Sequence, residues 1–119
     1  MSLSQIQSLL QQLAAESDDL LVCMVVSEDG LVIAHEGKVN EPDAFGAWFY
    51  ELKLVCDKII TELDCEDVTE IYIRSKTGAV TLLPIFDAGY LACLSTVNIN
   101  AGKVQMLAWK YARKLYELI

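Results

Sequence analysis

The stretch GAVTLLPIFDAGYLACLSTVNINAG, residues 78–102, constrains this chain more than any other. Leu82, Leu83, Ile85 and Phe86 precede Asp87-Ala88-Gly89, and Tyr90, Leu91, Ala92, Cys93 and Leu94 follow it. Two apolar runs around a short Asp/Gly turn read as a β-hairpin, so the two strands are antiparallel. Strands that are apolar at successive positions belong to a sheet covered on both faces. An antiparallel sheet with helices on both sides is a narrow class for 119 residues. The buried positions carry no obvious chemistry, so function is expected on the outside.

The rest of the chain fills in around that hairpin. Leu3, Ile6, Leu10, Leu13 and Ala14 have helical spacing, with Ser2 or Ser4 available as cap. Leu20–Ser27 reads as a strand buried on both faces, Glu28-Asp29-Gly30 as a turn, and Leu31–His35 as the returning strand. A middle helix runs from about Glu41 to Asp64, with Asn40 as candidate cap and Pro42 in its first turn. Phe45, Trp48, Phe49, Leu52, Cys56, Ile59, Ile60 and Leu63 form its core stripe, over roughly 120–140° of the circumference. Ala47, Tyr50 and Leu54 lie on about the opposite side, with Gly46 at the margin. A second apolar side reads either as singly exposed apolar residues, which are common, or as a helix packed against its own sheet and against a second molecule. Close helix–helix approach would then explain Gly46, which costs about 1 kcal/mol relative to alanine.

After an acidic link, VTEIYIRS (residues 68–75) alternates cleanly. Tyr72 and Arg74 share one face and Ile71 and Ile73 the other, which predicts an edge strand covered on one face. Pro84 predicts a bulge or an unpaired ladder position. Asn98 or Asn100 opens a last helix carrying Val104, Leu107, Ala108, Tyr111, Ala112, Leu115 and Leu118 at helical spacing. The element order is αββαβββα in one domain.

Composition adds boundaries. The apolar fraction of 54% exceeds the roughly 45–50% usual for soluble domains, which suits a doubly covered sheet, an oligomer interface, or both. Seventeen acids against nine bases give a net charge of −8, so no nucleic-acid footprint is present. From Lys103 onward there are four bases and one acid, leaving the last helix at +3 and the remainder at −11. Cys23, Cys56, Cys65 and Cys93 form no C-x-x-C pair, and a zinc site is not expected. Free cysteines fit a reducing, cytoplasmic setting. No signal peptide and no transmembrane segment is read from the sequence.

Catalytic motifs fail one at a time. His35, the only histidine, ends a strand and is read as a surface or satisfied residue. There is no glycine-rich phosphate cradle and no nucleophile elbow. Glu28 and Asp29 are explained by their turn. No catalytic residue, cofactor or metal is expected.

Four stretches in order, namely the opening helix to Leu13, VCMVVSEDGLVIA (22–34), GAVTLLPIFDAGYLACLS (78–95) and NINAGKVQMLAWKYARKL (98–115), resemble the Roadblock/dynein light chain domain family, a relative of the longin and profilin-like folds. The resemblance implies a three-layer α/β/α arrangement of α+β type. A five-stranded antiparallel sheet would carry the middle helix on one face and the other two on the other. It implies a homodimer in which middle helices pack together and third strands pair edge to edge, engaging Gly46, Ala47, Tyr50, Leu54, Tyr72 and Arg74. It also implies a non-enzymatic partner of small Ras-like GTPases. A dynein or motility-complex light chain shares that fold. A small-molecule sensor is the other alternative, disfavoured because Phe45, Trp48, Phe49, Phe86 and Trp109 are expected to fill the core rather than line a cavity. The aromatic run in the middle helix departs from the small residues many members carry there.

Overall fold

In the computed structural model, which describes residues 2–119, the chain runs α1 (Leu3–Ala15), β1 (Leu20–Ser27), β2 (Val32–Glu36), α2 (Pro42–Glu62), β3 (Ile71–Arg74), β4 (Ala79–Pro84), β5 (Gly89–Ser95) and α3 (Ala101–Tyr116). The sheet order is β2-β1-β5-β4-β3, antiparallel throughout. The two strands richest in consecutive apolar residues, β1 and β5, lie at or beside the centre, which is why they need no polar alternation.

Pleating sends successive residues to opposite layers. Cys23, Val25, Leu83, Leu91 and Cys93 meet Ile6, Leu10 and Leu13 of α1 and Val104, Ala108 and Leu115 of α3 in the larger core. Met24, Val26, Leu82 and Ala92 point the other way, where Phe45 and Phe49 of α2 pack on them. The expected architecture, with α2 alone on its face, is the one observed.

Local chemistry sets the boundaries. Ser2 caps α1 by accepting from the Gln5 N–H, and Asn100 caps α3 by accepting from the Gly102 N–H at 2.7 Å. Asn40 does not cap α2. Glu41 takes that position in a left-handed conformation with no side-chain cap, and Pro42 follows at the first position, where its missing N–H leaves one donor fewer to satisfy. At the other end the Cys65 N–H bonds the Ile60 carbonyl and the Asp64 N–H the Thr61 carbonyl, with Asp64 left-handed. That is a Schellman closure made without glycine.

Pro84 ends β4 with no bulge. The Ile85 N–H bonds Gly89 on the β5 side, so by alternation the Pro84 nitrogen faces β3, whose ladder has already stopped at Leu82. A missing donor costs nothing there. Phe86 is not part of the strand: it turns left-handed (φ 49°) and leaves the core to stack on Tyr116, ring centroids 4.7 Å apart.

Candidate functional site

Among the described residues of α2, the only buried one is Gly46. A side chain at Gly46 would stand 2.6 Å from the Gly30 carbonyl oxygen, and one at Gly30 would meet Tyr50 Cβ at 2.8 Å. The helix therefore sits directly on the β1–β2 turn. This contact within the chain is by itself a reason for glycine at position 46, in addition to the expected helix–helix approach. Tyr50 is half-buried over the same turn. Further along α2, Lys53 holds both Asp57 carboxylate oxygens (2.7 and 2.8 Å) above the Tyr90 ring. Burial first, then the Asp57 charge, pushes the Tyr90 phenol above its ordinary pKa.

The expected core stripe is split. Phe45 and Phe49 lie against the sheet, while Trp48 (57%), Ile59 (52%) and Leu63 (65%) are exposed, with Val55 (56%), outside that stripe, exposed beside them. At 100° per residue Trp48, Leu52, Val55 and Ile59 fall within about 60° of one another, so they make one flank. The same flank borders two shallow clefts. One, of about 90 Å³, lies between Phe45 and Phe49 and the strand residues Val22, Val80 and Leu94. The other, of about 340 Å³, lies between Cys56 and Ile59 and the stretch Val68–Ile71. One helix is too narrow for five strands, so part of this sheet face stays bare.

The bare area runs out to β3. Ile71 and Ile73 pair with Leu82 and Val80 and so share the α2 face; Tyr72 and Arg74 pair with Thr81 and Ala79 and face the α1/α3 side. The strand is the expected edge, but it is open on both faces: Ile73 is 47% exposed, and Tyr72 and Arg74 are exposed too. The tie on its approach is Gln105 of α3 donating to Glu70 (3.0 Å), and partial burial raises the Glu70 carboxyl pKa. The opposite edge, β2, is fastened to α1 by Gln7, which donates to the His35 carbonyl (2.9 Å) and to Glu36 (3.0 Å).

Of the residues predicted for self-association, Ala47 and Leu54 lie exposed on the outer side of α2, and Tyr72 and Arg74 on β3. Gly46 and Tyr50 are engaged by the chain's own turn. The structure adds Trp48, Val55 and Ile59 on α2 and Ile73 on β3, all exposed on the side of the bare sheet. Val55 stood in neither apolar group of the sequence reading. Its signal was its place between Trp48 and Ile59 at helical spacing.

Other expectations resolve simply. Cys23 and Cys93 are buried as cross-strand neighbours, and hydrogen bonding to Cys23 together with burial pushes the Cys93 thiol well up. Cys65 is exposed. His35 is half-buried, with Nδ1 lacking a hydrogen-bond partner among the described residues. Trp48, Phe86 and Trp109 do not fill the core but lie on the surface. No helix among the described residues is long and apolar enough to cross a membrane.

The sequence profile of the Roadblock/LC7 domain matches residues 6–95. Among solved structures, Myxococcus xanthus MglB superposes with a TM-score of 0.90 at 10% identity, covering 98% of this chain and 89% of that one. The gliding protein MglB of Thermus thermophilus gives 0.87 at 13% identity, over 96% and 87% of the two chains. A Roadblock/LC7 domain from Streptomyces avermitilis gives 0.87 at 16% identity, over 94% and 95%. Among curated protein sequences none matches.

Proposed function

The chain belongs to the Roadblock/LC7 family, and from that premise we propose that it is a non-catalytic homodimer that binds and regulates, or tethers, a small Ras-like GTPase. The observation that carries this reading is the exposure of Trp48, Val55 and Ile59 on α2 and of Ile73 on β3, on either side of clefts lined by Ile59 with Ile71 and by Phe49 with Val80 and Leu94, beside an open strand edge. A monomer gains nothing from large apolar side chains gathered beside a bare sheet. A second copy related by a two-fold axis covers both at once: helix flank lies on helix flank, and β3 pairs with β3. Leu54, Ala47, Tyr72 and Arg74 border this contact. The outer side of the paired helices, with Glu51 and Lys58 beside Leu54, is then a broad platform for the GTPase.

Acceleration of GTP hydrolysis by an inserted arginine has little support here. Arg74 and Arg113 are the only arginines, and neither is on α2. Any such effect would come from repositioning the GTPase's own groups. The test is co-elution with Ras-like GTPases from the same genome, loaded with GDP or a GTP analogue. Two copies bound per GTPase, with one nucleotide state preferred, is the expected result. Dimers that ignore both states would remove the GTPase from the reading and favour a light-chain role.

A further inference from the structure

A third concavity lies on the other flank of α2. It has a volume of about 550 Å³ and is lined by Lys53, Asp57 and Thr61 of α2, by Asp67 of the acidic link, and by Phe86 and Trp109. That is within the range of roughly 300–1,000 Å³ typical of ligand sites. Around the helix, Lys53, Asp57 and Thr61 stand about 130–170° from the Trp48–Ile59 stripe, while the wall at Asp67 is shared with the cleft beside Ile59.

Its walls select a class of occupant. Phe86, held outside the core by its left-handed turn, and Trp109 present exposed aromatic faces, continued by Tyr116. Aromatic faces attract cations and apolar groups together. Lys53 is already neutralised by its two contacts to Asp57, whereas Asp67 makes no ion pair among the described residues. From Ile59 to Ile73 the chain carries Glu62, Asp64, Glu66, Asp67 and Glu70 and no base, so this side of the rim is negative, facing an α3 wall on which Arg113 stands one turn beyond Trp109. Such a field repels acidic partners and steers basic ones.

We propose that this cleft docks a basic, apolar segment of a protein partner, with an arginine or lysine side chain entering among Trp109, Phe86 and Asp67 and aliphatic neighbours lying on Tyr116. The positively charged guanidinium or ammonium gains the aromatic faces and the free carboxylate at once. Neither contact alone is strong, so the site is a secondary anchor that adds to a main interface elsewhere.

The experiment is an NMR titration of the full chain with a capped peptide of alternating arginine and leucine, set against the same peptide with glutamate for arginine. The expected result is saturable movement of the Trp109 indole N–H and of the Thr61 and Asp67 amides below about 1 mM arginine peptide, with none from the glutamate peptide. Asp67→Asn and Trp109→Ala each weaken binding about threefold, and together about tenfold. Trp109→Phe, which keeps an aromatic face, recovers most of the loss and separates ring chemistry from misfolding. Glu51→Gln, on another side of α2, changes nothing. No saturation, equal binding of the glutamate peptide, shifts centred on Trp48 instead of Trp109, or indifference to the Asp67 and Trp109 variants would each overturn the proposal.

Discussion

The two faces of this sheet are built to different standards. On one, α1 and α3 bury Ile6, Leu10, Leu13 and Leu115 completely. On the other, α2 has one buried residue, a glycine, and leaves Trp48, Val55 and Ile59 in solvent. Both helical layers are apolar in sequence; only one is used up by the chain itself. The first face is where folding free energy is concentrated, at roughly 25 cal/mol per Å² of apolar area removed from water. The second is stable enough to hold its shape and keeps its remaining apolar area for another molecule. The edges repeat the contrast, since β2 is fastened to α1 by Gln7 while β3 is open.

The largest expected effect belongs to the covered face. Leu10→Ala should cost about 2–5 kcal/mol in urea unfolding, and the loss should not depend on protein concentration. Ile59→Ala, a similar truncation on the other face, should lose stability only as dimer is lost, so its cost should grow as protein concentration rises. If the two variants lose the same free energy at every concentration, the contrast between the faces is wrong.

Gly46→Ala ranks next. In an exposed helix interior that change stabilises by about 1 kcal/mol. Here the new Cβ would stand 2.6 Å from the Gly30 carbonyl, and the strain should destabilise by about 1–3 kcal/mol, seen as a lower midpoint in dilute protein. A stabilised monomer with impaired self-association would leave the helix–helix approach as the explanation of this glycine.

Glu16 carries the smallest effect. Hydrogen bonds from Lys110 (3.2 Å) and Tyr111 (3.1 Å) join the end of α1 to α3 and hold its carboxyl below the ordinary value of 4.5. A depressed folded value means that its stabilisation is complete above the unfolded pKa and fades as pH falls through the folded one. Melting temperature should thus drop more steeply below pH 4.5 in the wild type than in Glu16→Gln. Parallel curves would show that the bond contributes nothing.

Element order, hairpins and a sheet covered on both faces were legible from residues alone, and the family resemblance supplied which helices lie on which face. Apolar runs such as Leu20–Val26 and Leu91–Leu94 can be satisfied only by a doubly covered sheet, and Asp/Gly turns fix how they connect. The orientation of α2 was not legible. Its apolar residues span a wide arc, and periodicity says that such a helix has an apolar side without saying which margin the sheet takes. The β1–β2 turn decides that by requiring Gly46 and Tyr50 beneath it. That choice rotates Trp48, Val55 and Ile59 outward, and no spacing within α2 encodes a contact made to Gly30. Phe86 was misplaced for a similar reason. Its aliphatic neighbours Leu83 and Ile85 suggested a strand, and the left-handed turn that ejects it depends on Gly89 and Ala88 closing the loop.

The central claim is that the open side of α2 and β3 is a self-association face. Light-scattering mass across a dilution series tests it most directly, on the wild type and on Ile59→Glu, with circular dichroism confirming equal helix content. The account predicts a wild-type particle of twice the 13.2 kDa chain mass that the single substitution converts to one chain. A wild type that is one chain at every concentration, or a dimer indifferent to a charge at Ile59, would contradict it.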